Sequence, residues 1–268
     1  MKKIFLAVLA VATMFTASAQ YKAPQIIANG GYHKSPASGA KNTMSALKAA
    51  QKLKIYGSEC DVNLTKDGEL LVVQSGWHPG SKAKPKADVQ RSTAAKMLEI
   101  PYENGEYIST LEEFLKRAKK KPTTKLVLDL KSQATIQRET ELVESVVALV
   151  EQMGMQENVI YLAAHPWTAL ELVKVAPKGS EIAYLGNDYD PKYVKGMGCT
   201  SIDYNFKVLK KKKHWIKQAH KLGLTVNVWT VNKEEDIRWC IENGVDIITT
   251  DEPVLAKKIV KEMCGKEK

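Results

Sequence analysis

Glu59 and Asp61 stand two residues apart in Tyr56-Gly57-Ser58-Glu59-Cys60-Asp61-Val62. In a β-strand such residues share a face, so both carboxylates point one way and Cys60 points the other, toward a helix layer. Two carboxylates this close repel unless something positive lies between them. A hard divalent cation with oxygen ligands is one answer. A solvent-exposed strand edge carrying ordinary surface acids is the other, and spacing alone does not choose. Asp129 poses the same question near the end of the apolar run Lys125-Leu126-Val127-Leu128-Asp129-Leu130, and Lys131 shares its face. One reading is a third metal ligand beside a cation for a phosphate oxygen. The other is a structural ion pair or a helix cap.

These residues need strands to aim them. Short apolar runs at 25–28, 57–63, 125–130, 159–163, 181–185, 201–204, 225–231 and 246–249 read as strands, and 70–73 reads as an extension after the second. Helical periodicity occupies 43–53, 111–119, 137–153, 167–175, 192–195, 214–222, 233–242 and 253–263. Strands alternating with helices imply parallel βαβ units, and eight repeats fit an α/β fold of the (β/α)8 TIM-barrel type. An open doubly wound sheet should carry a Gly-rich dinucleotide turn after its first strand. Here Asn29-Gly30-Gly31 runs into a long polar loop instead. The longest loops, 29–42 and 74–101, follow the first two strands, where a barrel builds its active face.

Lys2 and Lys3, an apolar run from Ile4 to Phe15 and the small residues Ala17-Ser18-Ala19 have the layout of a cleaved secretory signal. The expected division is a signal peptide at 1–19 and one barrel domain at 20–268, exported to the periplasm or secreted. A retained anchor is the alternative, but the run is short for a bilayer and no Cys follows it. A stable membrane anchor is therefore not expected. Cys60, Cys199, Cys240 and Cys264 show no metal-binding spacing and read as isolated core thiols. The formal charge is +10, gathered in 116–125, 207–213 and the tail. These runs lack interleaved aromatics, which argues against nucleic acid; the expected partner is a small anionic molecule, with no protein partner implied.

Further ordered pieces complete a pattern. They are Ile26-Ile27-Ala28-Asn29-Gly30-Gly31, Asn42-Thr43, Glu59-Cys60-Asp61-Val62-Asn63-Leu64-Thr65-Lys66-Asp67-Gly68, Val72-Val73-Gln74-Ser75 and Asn104-Gly105-Glu106. Then come Asp129-Leu130-Lys131, Trp229-Thr230-Val231-Asn232 and Gly244-Val245-Asp246-Ile247-Ile248-Thr249-Thr250-Asp251-Glu252-Pro253. The ordered set resembles the glycerophosphodiester phosphodiesterase family across essentially the whole mature chain. The resemblance implies a barrel that hydrolyses glycerophosphodiesters to glycerol 3-phosphate and an alcohol. It implies a divalent metal, Ca or Mg, on Glu59, Asp61 and Asp129, with Lys131 on the phosphate and Trp229 on the pocket wall.

The departures fall in the site. The family's two catalytic histidines correspond to Asn29 and Gln74, its first-strand Arg to Gly30, and the Asp after the second histidine to Ser75. The acidic or amide residue usually found before Asn42 is Lys41. Asn and Gln hydrogen-bond but carry no proton near neutrality. His33 and His78, each four residues beyond a missing histidine, could reach in from the loops; the alternative is a pair of exposed loop histidines. His165 is a further candidate at the same face. Lys41 could replace the Arg as a phosphate contact, or be a surface lysine. Two expectations follow: a metal-dependent phosphodiesterase with altered acid–base groups, or a non-catalytic barrel that binds a phosphate ester or another extracytoplasmic ligand.

Overall fold

A computed structural model describes residues 21–74, 88–102 and 104–265. In chain order the elements are β1 (Gln25–Ala28), α1 (Met44–Lys52), β2 (Gly57–Leu64), β3 (Leu70–Val72), α2 (Ala94–Leu98) and β4 (Ser109–Thr110). Next come α3 (Leu111–Lys119), β5 (Lys125–Leu130), α4 (Ile136–Gln152), β6 (Val159–Ala163), α5 (Pro166–Val175), β7 (Glu181–Gly186) and α6 (Pro191–Gly196). The chain ends with β8 (Ser201–Asn205), α7 (Phe206–Lys211), α8 (His214–Lys221), β9 (Thr225–Trp229), α9 (Glu234–Glu242), β10 (Ile247–Thr250) and α10 (Pro253–Cys264).

Among the described residues eight parallel strands run β1-β2-β5-β6-β7-β8-β9-β10, and β10 pairs with β1 to close the ring. This is the expected (β/α)8 barrel. Period-two alternation sorts its core into two layers. Ile27, Val127, Ile160, Leu162, Ala183 and Ile247 fill the barrel interior. Cys60, Val62, Leu126, Leu128 and Tyr161 face outward and pack with the helices. Cys60 therefore points away from Glu59 and Asp61, as the strand period requires. All four cysteines are buried thiols.

The helices start where the sequence supplies caps. Thr43 accepts from the Ala46 N–H to open α1, and Thr110 and Glu113 form a reciprocal capping box on α3. The run at 70–73 is not a simple extension of the second strand. β3 turns back antiparallel to β2, and β4 lies antiparallel to β3. The long segment after β3 contains α2. Two helices were not expected: α2 lies in the segment read as a long loop, and the sequence of α7 reads as a lysine run. Asn205 caps it by accepting from the Lys207 N–H, and Phe206 and Leu209 are its buried residues. No described helix is long and apolar enough to cross a membrane. The expectations for the leader at 1–19, for Ser75 and for His78 lie outside the described residues.

Candidate active site

The C-terminal strand ends surround a cleft of about 230 Å³. Its wall includes Asn29, Lys41, Glu59, Asp61, Gln74, Asp129, Lys131, Asp203 and Trp229, and its floor includes Leu162 and Leu185. The strand register explains the gathering of acids. Asp61 on β2 is directly paired with Asp129 on β5, and Glu59 lies one inward step below Asp61.

Glu59, Asp61 and Asp129 each offer an oxygen, and these atoms lie within 4.8 Å of one another. Local bonds fix their orientation. Glu59 Oε2 accepts from the Gly30 N–H at 2.6 Å. Asp61 Oδ2 accepts from Asn42 Nδ2 at 2.7 Å, while the Asp61 N–H donates to Asn42 Oδ1 at 3.0 Å. Asn42 makes this reciprocal clamp from the left-handed region, at φ 59°, where Asn is among the better tolerated side chains. Lys131 Nζ bonds Asp61 Oδ1 at 2.5 Å and also bonds Asp129 Oδ2. Asp129 Oδ1 is buried and has no hydrogen-bond partner among the described residues.

Three carboxyls thus share one ammonium. Burial, then the Asp61 and Asp129 charges, push the Glu59 carboxyl well up. Burial pushes Asp129 up to about 6, reinforced by Asp61 and opposed by Lys131. Burial alone would lower the Lys131 ammonium, but Asp129, Asp61 and Glu59 outweigh it and hold the proton on. The site carries surplus negative charge and an unpaired buried carboxylate oxygen. A divalent cation would satisfy both, so the donor set fits one.

A second carboxylate at the mouth is fully served. Asp251 accepts from Asn29 Nδ2 at 2.9 Å and from Asn232 Nδ2 at 2.8 Å, and pairs with Lys41 Nζ at 2.7 Å. Burial would raise its carboxyl, but Lys41, Asn29 and Asn232 prevail and hold it below the usual range. Lys41 reaches it by lying across Gly30. A Cβ at residue 30 would meet Lys41 Cβ at 2.7 Å and Lys41 Cγ at 2.8 Å, so Lys41 occupies the space of a side chain there.

The structure brings Asn29, Lys41, Gln74, Lys131 and Trp229 to the cleft with the three acids. It does not bring in the histidines that it describes. His33 Nε2 lies 3.9 Å from Asp251, its Nδ1 is buried without a partner, and the residue is not on the cleft wall. Burial, then Lys41, lower its pKa. His165 Nδ1 pairs with the buried Glu139 at 2.9 Å and its Nε2 meets Ser132 Oγ at 3.1 Å, away from the cleft wall. Sequence reasoning missed two residues. Asn42 read only as part of a helix start. Asp203, 1% exposed on the cleft wall, was passed over, although an acid flanked by Ile202 and Tyr204 in a short strand was a usable signal.

The Glycerophosphoryl diester phosphodiesterase family matches this chain over residues 29–255. A glycerophosphodiester phosphodiesterase from Bacillus altitudinis is 28% identical over 243 residues, covering 83% of this chain and 94% of that protein. The crystal structure of a glycerophosphodiester phosphodiesterase from Parabacteroides distasonis superposes with a TM-score of 0.84 at 34% identity, covering 90% of this chain and 98% of that one. A phosphodiesterase from Oleispira antarctica, solved in complex with the product sn-glycerol-3-phosphate, shares the fold at a TM-score of 0.78 and 17% identity, over 89% and 97% of the two chains. With residues 29–255 covered by the family match and the carboxylates gathered at the barrel mouth, the chain belongs to the glycerophosphoryl diester phosphodiesterase family.

Proposed function

We propose that this protein is a metal-dependent phosphodiesterase that hydrolyses glycerophosphodiesters to glycerol 3-phosphate and an alcohol, with acid–base groups other than the family's two histidines. The observation that carries the reading is the unpartnered Asp129 Oδ1 beside Glu59 and Asp61 in a cleft with two lysines. Glu59, Asp61 and Asp129 would hold Ca or Mg. When bound, the ion balances the carboxylates and polarises a phosphoryl oxygen. Lys131 donates to a second phosphate oxygen. Lys41 supplies another cation at the rim, where residue 30 has no side chain. Asn29 and Gln74 hydrogen-bond the ligand without moving protons, and Trp229 bounds the apolar side of the cleft. The product seen in the Oleispira antarctica relative is consistent with such a ligand. We place the barrel domain at 20–268, exported after loss of 1–19; N-terminal sequencing of the exported protein checks that boundary.

Titration of Ca and Mg against glycerophosphocholine and glycerophosphoethanolamine tests the activity. Turnover should require the metal and disappear in Asp61→Ala. The absence of a histidine from the described cleft wall favours a second reading, a barrel that binds a phosphate ester without cleaving it. Thermal stabilisation by glycerol 3-phosphate with no turnover of any diester would select it.

A further inference from the structure

We propose that Asp203 is the general acid that protonates the departing alcohol. The inference rests on the phosphodiesterase reading above and adds a residue to it. Asp203 is 1% exposed, yet it forms part of the cleft wall. Among the described residues no side chain bonds its Oδ1, that oxygen has no other hydrogen-bond partner, and no cation pairs with it. In register it lies beside Leu185 on β7 and Asn227 on β9. The Asn227 oxygen is already taken by the Val228 N–H at 2.8 Å and Thr249 Oγ1 at 3.2 Å. Trp229 Nε1 bonds the Asp203 backbone carbonyl at 3.1 Å, not its carboxyl. Burial, then Asp129, push its carboxyl well up. A carboxyl that keeps its proton here is an O–H donor on the cleft wall.

Position supplies the rest. Around the ring β8 lies four strands from β2 in either direction and three from β5. Asp203 therefore faces Glu59, Asp61 and Asp129 across the barrel. In an in-line displacement the attacking and leaving oxygens stand on opposite sides of phosphorus. A phosphoryl group gripped on the β2–β5 side can direct its leaving oxygen toward β8. Of the cleft-wall groups able to carry a proton, Lys41 and Lys131 are tied to carboxylates and Glu59, Asp61 and Asp129 form the acidic cluster. Asp203 is the remaining one among the described residues.

In the step, water forms the new P–O bond as the bond from phosphorus to the leaving oxygen breaks. The electron pair stays on that oxygen, which takes the Asp203 proton. The proton lost by the attacking water passes to solvent, and Asp203 is reprotonated from solvent after the products leave.

The test is leaving-group dependence. An alkyl alcohol needs a proton to depart, whereas 4-nitrophenolate does not. Asp203→Asn should lower kcat on glycerophosphoethanolamine by roughly 10²–10⁴-fold and leave bis(4-nitrophenyl) phosphate turnover nearly unchanged. Calorimetric metal binding should be retained, and a protonated-carboxyl infrared band should be lost. Equal losses on both substrates, or no loss on the alkyl diester, overturn the assignment. The wild-type protein gives a measurement independent of the variant's folding. Its rates across diesters of rising leaving-group pKa should fall only shallowly, and a steep fall overturns the acid. A wild type that turns over neither diester overturns the phosphodiesterase reading and the acid with it; an active wild type with a uniformly impaired variant overturns the acid alone.

Discussion

Two carboxylate clusters share the barrel mouth and differ in how they are supplied. Asp251 receives Lys41, Asn29 and Asn232, and its carboxyl is held below the usual range. Glu59, Asp61 and Asp129 share Lys131, and Glu59 and Asp129 are pushed upward. Both clusters are partly or wholly buried and both sit on strand ends. The difference is one of supply: the first is a brace complete in the folded chain, and the second is a deficit that a divalent cation would fill. A buried group that lacks a partner is costly and calls for an explanation; at this cluster a divalent cation is one.

The sharpest way to break this contrast is Lys131→Met. It strips the one cation that the described residues supply to the acidic cluster and leaves buried carboxylates uncompensated, at a cost of about 3–5 kcal/mol in metal-free protein. Calcium or magnesium should restore part of that loss, which thermal unfolding with and without metal measures. A similar loss in both conditions would mean that the cluster is no metal site. A smaller effect should follow Asn42→Asp, which keeps an Asx residue in the left-handed region but faces Asp61 with a carboxylate. Metal affinity should fall roughly 10–100-fold, as for other groups that orient a ligand, read by calorimetry. The smallest effect belongs to the brace. Asp251→Asn should cost about 1 kcal/mol near neutrality without altering metal affinity. Because the folded carboxyl is depressed, its contribution is present above the ordinary carboxylate pKa and disappears as the pH falls through the lower folded value. The wild type should therefore lose its advantage over the variant in that acid window, as denaturant titrations across pH would show. An advantage that grew as the pH fell would reverse the assignment.

Much of this was legible in the sequence because it is local. Strand periodicity put Glu59 and Asp61 on one face and Cys60 on the other, and the same rule joined Asp129 to Lys131. The barrel followed from eight repeats, and its short strands were placed to within two residues: β9 ends at Trp229 instead of Val231, and β10 begins at Ile247 instead of Asp246. What escaped was long-range or masked by composition. The reciprocal clamp between Asn42 and Asp61 joins the start of α1 to β2, and no spacing rule announces it. The role of Asp203 depends on which strand stands across the ring, which emerges only on closure. The helix α7 hid in a lysine run because two buried residues, Phe206 and Leu209, are too few to show a period.

The stem of Lys41 lying over Gly30 makes those two positions mutually exclusive. Gly30 itself takes φ 66°, a backbone region that L side chains rarely adopt. One long charged arm fits above β1, and it can be rooted at residue 30 or at residue 41 but not at both. An arginine introduced at 30 without trimming 41 would meet the lysine stem, and trimming 41 alone would strip Asp251 of its ammonium. A side chain placed at residue 30 therefore calls for a change at residue 41 as well.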